Sequence, residues 1–248
     1  AVLGGPLVVG LLVALAVVIL AGAWWPEARD RGIVAATLCV TLALWAAGAW
    51  DDRRGEERPR GFKGHLGAVA TGSLTGGLVK LVAGGIAGLV AGALTGGGAG
   101  SVVATGLMVA LTANLVNLLD RAPGRALKFA GLLYVPALLL APAQWATATA
   151  GLPAGILLLG PFDLKERAML GDAGAHPLGG LIGLGLALGL SGAVEVVVLV
   201  VLVALNLASE KWSFSRLIDR SSLLHTLDML GRRKEGRRAR ERPETRSK

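Results

Sequence analysis

Long apolar runs dominate the chain, and short blocks rich in charge, Gly or Pro separate them. A membrane-crossing helix needs about 20 predominantly apolar residues, and runs of roughly that length recur along the sequence. The final apolar stretch is divided at 189–192, because one helix across all of it would be about 50 Å long against a hydrocarbon core of about 30 Å. The pattern predicts an all-α polytopic membrane helix bundle of about eight transmembrane helices, at about 4–25, 33–50, 66–92, 101–119, 129–144, 146–162, 176–191 and 192–209.

The composition favours the same class of protein. Of the 248 residues, 53% are apolar and only 17% are charged, which is too little charge for the surface of an ordinary soluble domain. The net charge of +8 would suit nucleic acid, but 12 of the 25 Lys and Arg residues follow Ser209, and most others lie in short predicted loops. That distribution is typical of membrane orientation, so we expect no nucleic-acid partner.

The loop charges predict an orientation. The loops after the second, fourth and sixth spans and the C-terminal tail carry nearly all of the Lys and Arg residues. By the positive-inside rule, both ends of the chain and these loops are expected to be cytoplasmic. Apolar residues recur at helical spacing among basic ones after Lys211, which is typical of a helix bound to anionic lipids. We therefore expect a transmembrane bundle over 1–209, an interfacial amphipathic helix over 210–233 and a disordered basic tail over 234–248.

Three of the predicted cytoplasmic loops carry acidic residues beside amides or glycines. Carboxylates from separate loops on one membrane face would supply the hard oxygen ligands that Mg²⁺ prefers beside a diphosphate. Each motif alone also has a structural explanation, as a surface ion pair, as amides that pack helices together, or as a turn. The motifs are GAWDDRRG with Asp51 and Asp52, NLVNLLD with Asn114, Asn117 and Asp120 on one helix face, and MLGDAGAHPLGG with Asp172.

In this order, and separated by predicted helices, the three motifs resemble those of the polyprenyl-phosphate N-acetylhexosamine-1-phosphate transferases, over about residues 46–185. Members of that family move a sugar 1-phosphate from a UDP-sugar to a polyprenyl phosphate, use Mg²⁺ and release UMP. The resemblance implies the same activity here, in the synthesis of cell-envelope glycans such as peptidoglycan, with Mg²⁺ or Mn²⁺ as cofactor. It also implies a multi-pass protein of the bacterial inner membrane whose active face is cytoplasmic.

The resemblance further implies roles for single residues. Asp51 and Asp52 are the implied catalytic residues, with Asp51 activating the lipid phosphate. Asp120 and Asp172 are the implied metal ligands, and Asn114, Asn117 and Asp120 are the implied nucleotide contacts.

Three basic residues are further candidates for the site, because of where they lie in the sequence. Arg60 and Lys63 lie in a predicted cytoplasmic loop, where they would hold either a lipid phosphate or anionic headgroups. Lys80 lies inside a predicted span, so we expect its ammonium to face the bundle interior, either with a role in binding the lipid phosphate or in a purely structural pairing.

Two departures from the family pattern leave alternatives open. Arg121 stands where the family has Gly, and Pro123 stands where it has a second Asp. The alternative hypothesis is a non-catalytic relative that serves as a membrane scaffold, or as a lipid- or nucleotide-binding protein, in envelope assembly. Its candidate partners are a second copy of the chain and an envelope-assembly protein. A third hypothesis is a small transporter with Lys80 as its intramembrane charge.

Overall fold

The structure is a computed structural model that describes residues 3–21, 28–54 and 76–232. Within these ranges it is helical and contains no strand, which confirms the all-α prediction. The helices are α1 (Gly4–Ala21), α2 (Ala28–Arg54), α3 (Gly76–Leu94), α4 (Ala99–Leu119), α5 (Arg125–Leu140), α6 (Ala143–Ala148), α7 (Gly151–Leu164), α8 (Asp172–Gly189), α9 (Gly192–Lys211), α10 (Phe214–Arg220) and α11 (Ser222–Met229).

Four helical segments of the described chain are long and apolar enough to cross a membrane. They correspond to the predicted second, fourth, sixth and eighth spans: Arg31–Arg53, Ala99–Leu119, Ala143–Leu164 and Gly192–Lys211. Two further apolar helices, Gly4–Ala16 and Val79–Leu94, are shorter. The structure is therefore that of a helical protein suited to a membrane, while a total of eight spans with cytoplasmic ends stays a prediction.

Contacts between helix ends show which connections share one end of the bundle. The N–H of Leu3, just before α1, donates to the carbonyl of Met169, just before α8 (2.6 Å). At the opposite end, Gly32 near the start of α2 packs directly against the backbone of Leu94 at the end of α3. The starts of α1 and α8 thus lie together with the end of α2. We call this the acidic end, because Asp51, Asp120 and Asp172 meet there.

Helix α8 forms the centre of the bundle. Every residue from 172 to 186 is buried, and α1, α2, α4 and α5 pack around it. A Cβ atom added at Gly179 would lie 2.6 Å from the carbonyl oxygen of Thr112, and one added at Gly183 would lie 2.5 Å from that of Met108. Because these glycines are four residues apart, they share one face of α8 and let α4 approach it closely.

Helix α9 lies at the periphery. Leu202 is its only buried residue, and most of its valines are exposed. Leu202 packs into the core, and two hydrogen bonds add to the attachment: Asn114 Nδ2 donates to Asn206 Oδ1 (2.7 Å), and Asn206 Nδ2 donates to the carbonyl of Leu111 (3.2 Å). With a mean hydropathy of 2.3, α9 is the most apolar of the four candidate spans, so its exposed surface suits lipid contact.

The segment predicted as one amphipathic helix over 210–233 is divided in the structure. Helix α9 continues to Lys211, and two short helices follow it. Extended backbone at Ser221 (φ −95°, ψ 114°) separates α10 from α11, and the Ser221 hydroxyl accepts a hydrogen bond from the N–H of Leu224 to cap α11 (3.4 Å). Both short helices nevertheless expose apolar side chains, and residues 233–248 lie outside the described residues.

Candidate active site at the acidic end

The first turn of α8 binds carboxylates from two of the acidic motifs. Gly171 has a φ of +70°, a conformation that residues with a side chain rarely adopt. Its N–H donates to Asp120 Oδ2 (2.8 Å). The next two N–H groups, of Asp172 and Ala173, donate to Asp52 Oδ1 (3.1 Å) and Oδ2 (3.0 Å). A helix N-terminus leaves these donors unpaired and carries a partial positive charge, so both carboxylates stabilise it.

Lys80 joins the two remaining acids. Its ammonium nitrogen lies 2.6 Å from Asp51 Oδ2 and 2.7 Å from Asp172 Oδ2. The three residues are 7%, 6% and 8% exposed, respectively. A buried ammonium is tolerated when carboxylates compensate for the water it has lost. The ammonium of Lys80 thus links α3 to the end of α2 and to the start of α8.

Gly48 explains how the acids of α2 reach α8. A Cβ atom at Gly48 would lie 2.3 Å from the carbonyl oxygen of Asp172, so the two helix backbones are in direct contact there. Asp51 and Asp52 follow three and four residues later and therefore lie on the same face of α2. Because Gly48 has no side chain, α2 approaches α8 closely enough for both carboxylates to reach the first turn of α8.

Asp163, at the end of α7, is a fifth acid that the sequence interpretation missed. It is 2% exposed, and its Oδ2 accepts a hydrogen bond from the N–H of Gly124 (3.1 Å). Gly124, like Gly171, has a positive φ (+69°). The available signal was the position of Asp163 directly after the apolar run LLLGPF, where an acid needs a partner.

Asp120 has a perturbed ionisation. Burial raises its pKa to about 7, helped by the negative charges of Asp163, Asp172 and Asp52 and opposed by the hydrogen bond from Gly171. Desolvation and neighbouring carboxylates both disfavour the ionised form. A cation bound beside Asp120 would favour that form instead.

The two amides of the second motif have different surroundings. Asn114 is bonded to Asn206 of α9, which favours the helix-packing explanation for this residue over the nucleotide-contact one. Asn117 is half-buried, and its side chain has no hydrogen-bond partner among the residues that the structure describes. Arg60 and Lys63 fall in 55–75, outside the described residues.

Carboxylates are suitable ligands for a divalent cation. The Lys80 ammonium, however, already lies between two of these carboxylates, those of Asp51 and Asp172. In the described part of the chain, no three His, Cys, Asp or Glu side chains are grouped to hold a metal ion. Asp51 and Asp172 both direct an oxygen at Lys80. The structure therefore defines a cation-binding point, and Mg²⁺ would reach it only by displacing Lys80.

A cavity of about 520 Å³ lies away from these groups. The end of α3, the start of α4 and the end of α8 line it, at the end of the bundle opposite the acids. Its lining contains no titratable side chain, so it adds nothing to the candidate site.

The chain has no match among protein-family models, curated proteins or solved structures. The assignment of a function therefore rests on the residues and contacts described above.

Proposed function

We propose that the protein is a membrane glycosyl-1-phosphate transferase. It moves a sugar 1-phosphate from a UDP-sugar to a polyprenyl phosphate at the cytoplasmic face of the bacterial inner membrane, for cell-envelope glycan synthesis. The supporting observation is the meeting of Asp51, Asp52, Asp120 and Asp172, from three separate motifs, around the first turn of α8. Buried carboxylates are costly to concentrate in this way, and such clusters are typical of functional sites.

The reaction uses the acidic end as follows. An oxygen of the polyprenyl phosphate attacks the phosphorus that bears the sugar, the bond from that phosphorus to the bridging oxygen breaks, and UMP leaves. Asp51 activates the lipid phosphate, and Asp52 keeps the start of α8 in place through its two backbone hydrogen bonds. Lys80 releases one of its two carboxylate partners and binds the lipid phosphate in its place. Asp120 and Asp172 would hold Mg²⁺ or Mn²⁺, which would supply the positive charge that a diphosphate needs.

The proposal includes a topology of eight spans with both ends cytoplasmic. The segments α10 and α11 then lie on the inner leaflet, with basic side chains available to anionic lipids. Exposure supports this arrangement, because α10 presents basic residues and both helices with their flanking residues present apolar ones: Trp212, Arg216, Leu217, Arg220, Leu223, Leu224, Leu227 and Leu230.

The decisive experiment is an assay of UMP release by the purified protein, with polyprenyl phosphate, Mg²⁺ and a panel of UDP-sugars. Asp51→Asn is expected to reduce the rate by about 100-fold or more, the scale of losing a general base. Asp219→Asn is the matched control, because Asp219 is an exposed acid of α10. No UMP release with any UDP-sugar, together with intact cellular function of Asp51→Asn and Asp172→Asn, contradicts the proposal.

The second candidate function is a non-catalytic scaffold. It is favoured by Lys80, which already compensates the charges of Asp51 and Asp172, and by the role of Pro123, whose carbonyl accepts a hydrogen bond from Arg232 (3.1 Å). A scaffold of this kind binds polyprenyl phosphate or UDP-sugar without releasing UMP. Gain of UMP release in Pro123→Asp, from an inactive natural protein, would support it.

A further inference from the structure

The segment after α9 is bound to the turn that carries Asp120. We name residues 213–232 the strap and residues 120–124 the α4–α5 turn. Asp228 of the strap is 7% exposed, and its carboxylate accepts hydrogen bonds from Arg125 Nε (2.9 Å) and Arg125 Nη2 (2.8 Å). Arg125, at the start of α5, is also 7% exposed. A buried two-point pair of this kind is strong and specific in geometry.

Further contacts fix the strap on both sides of this pair. Arg232 donates from Nη2 to Asp228 Oδ2 (2.7 Å) and from Nε to the carbonyl of Pro123 within the turn (3.1 Å). Arg125 Nη1 donates to the hydroxyl of Ser215 (2.8 Å). Lys128 donates to three carbonyls at the end of α11, where the helix dipole is negative.

The opposite side of the turn is held by the bundle. Asp163 accepts the hydrogen bond from Gly124, the residue after Pro123. The turn itself contributes the bonds from the N–H of Asp120 to the carbonyl of Asn117 (3.1 Å) and from the N–H of Arg125 to the carbonyl of Ala122 (3.1 Å). The turn is thus fixed between α7 on the inside and the strap on the outside.

We propose that Asp228 and Arg232 are positioning residues, and that the strap is a required part of the candidate active site. They hold the α4–α5 turn in the conformation that directs the carboxylate of Asp120 to Gly171 at the start of α8. The kinetic consequence rests on the proposed function, whereas the ordering of the turn does not. Supporting residues of this kind typically change activity by about 10- to 100-fold when they are lost.

The test measures hydrogen exchange and kinetics on the full-length protein in lipid nanodiscs. Asp228→Asn is expected to speed amide exchange at residues 121–128 by about tenfold or more, since the paired Arg125 loses its anion. If UMP release occurs, kcat falls about tenfold, while the KM for polyprenyl phosphate stays within about twofold. Asp228→Glu is expected to restore part of the slow exchange and part of kcat. Asp219→Asn, the same change at an exposed site of the strap, behaves as wild type.

Wild-type exchange at 121–128 in Asp228→Asn overturns the proposal, whether or not the protein is an enzyme. A wild-type protein that releases no UMP counts against the proposed function only, because the exchange measurement still decides the role of the strap. If Asp228→Asn also speeds exchange within α8, Arg232→Gln decides instead, since it leaves the Arg125–Asp228 pair intact. Faster exchange confined to 121–128 in that variant supports the proposal, and unchanged exchange overturns it.

Discussion

Helices α8 and α9 come from one continuous apolar stretch, yet they have opposite surroundings. All residues of α8 from 172 to 186 are buried, whereas α9 buries Leu202 alone. Hydrophobicity does not explain the difference, because α9 is the helix with a mean hydropathy of 2.3 and lies outside. In a membrane, lipid is as apolar as leucine, so close packing rather than apolar character selects the central helix.

Side-chain size accounts for the central position of α8. The helix contains six glycines, while α9 contains one glycine and seven valines. Glycines bring the backbones of neighbouring helices into contact, as Gly183 does with Met108. Valines keep neighbours at a distance, so α9 packs on the core only through Leu202 and a few partly buried neighbours, and the hydrogen bond from Asn114 to Asn206 adds to that attachment. The central helix thus packs through its glycines, whereas the peripheral helix combines a small apolar contact with a polar one.

The largest expected effect comes from a bulky residue on the packed face of α8. Gly183→Leu places a side chain where even a Cβ would lie 2.5 Å from the carbonyl of Met108. We expect a loss of about 3 kcal/mol or more of stability, at the upper end of overpacking effects. Thermal unfolding in detergent measures it. Val200→Leu on α9, where the side chain is exposed, is the control and should stay within about 0.5 kcal/mol of wild type.

Gly183→Leu with wild-type stability would mean that α4 does not approach α8 at this point. The same loss in both variants would mean that α9 is packed as tightly as α8. Either result removes the contrast between the two helices.

The second effect concerns the acids in the first turns, Asp172 in α8 and Glu195 in α9. Lys80→Met removes the ammonium between Asp51 and Asp172, and we expect a loss of about 3 kcal/mol, as for other broken buried pairs. Because the cation-binding point is then open, Mg²⁺ or Mn²⁺ should raise the Tm of this variant more than that of wild type. Glu195→Gln, at a half-exposed site, should have little effect on Tm.

A Lys80→Met protein as stable as wild type would contradict the buried ion pairs themselves. Destabilisation without any response of the Tm to divalent cations would instead count against a metal at this point, and so against part of the proposed mechanism.

The helices could be predicted from the sequence because an apolar run in a membrane has to satisfy its backbone hydrogen bonds internally. The division of the final stretch is confirmed, since α8 ends at Gly189 and α9 begins at Gly192. The meeting of the three acidic motifs at one end was also expected, because alternating helices return their loops to the same side. Their roles in binding metal and nucleotide stay predictions.

The partners of the polar residues could not be predicted. Lys80 and Asp172 are 92 positions apart, as are Asn114 and Asn206, so their pairing depends on how the helices are arranged. Apolar periodicity does not give that arrangement, since lipid-facing and buried positions are both apolar. The contact between Asp228 and Arg125 was missed for the same reason, and the tail was interpreted only from its amphipathic pattern.

A smaller effect is expected from the polar attachment of α9. Asn114→Leu and Asn206→Leu should each cost about 1 kcal/mol, and the double variant should lose less than the sum, because both remove the same hydrogen bond. Unfolding in detergent measures this cycle. Asn117→Leu is the matched control for stability, and under the proposed function it weakens UDP-sugar binding instead. Additive losses would show that the two amides are not coupled, and then packing alone attaches α9.

The smallest effect is the pH dependence of the strap that continues from α9. Burial raises the pKa of Asp228, but the hydrogen bonds from Arg125 and the charges of Arg125, Arg232 and Lys128 outweigh it, so that the pKa lies below its ordinary value. Arg125, Arg232 and Lys128 are the cations that face this carboxylate. A lowered pKa in the docked state means that docking is stabilised above the ordinary pKa of Asp and that this stabilisation is lost as the pH falls through the lowered value.

We therefore expect acid to release the strap while the contacts of Gly179 and Gly183 with α4, which involve no charged group, stay unchanged. A nitroxide label on Ser222→Cys in a Cys39→Ala background measures the mobility of α11 as the pH falls. In Asp228→Asn the label should be mobile already at neutral pH, and the acid transition should disappear, because the group that titrates is gone. The same acid transition in Asp228→Asn would assign it to another group, and a simultaneous loosening at Gly179 and Gly183 would show that these contacts of α8, too, depend on charge.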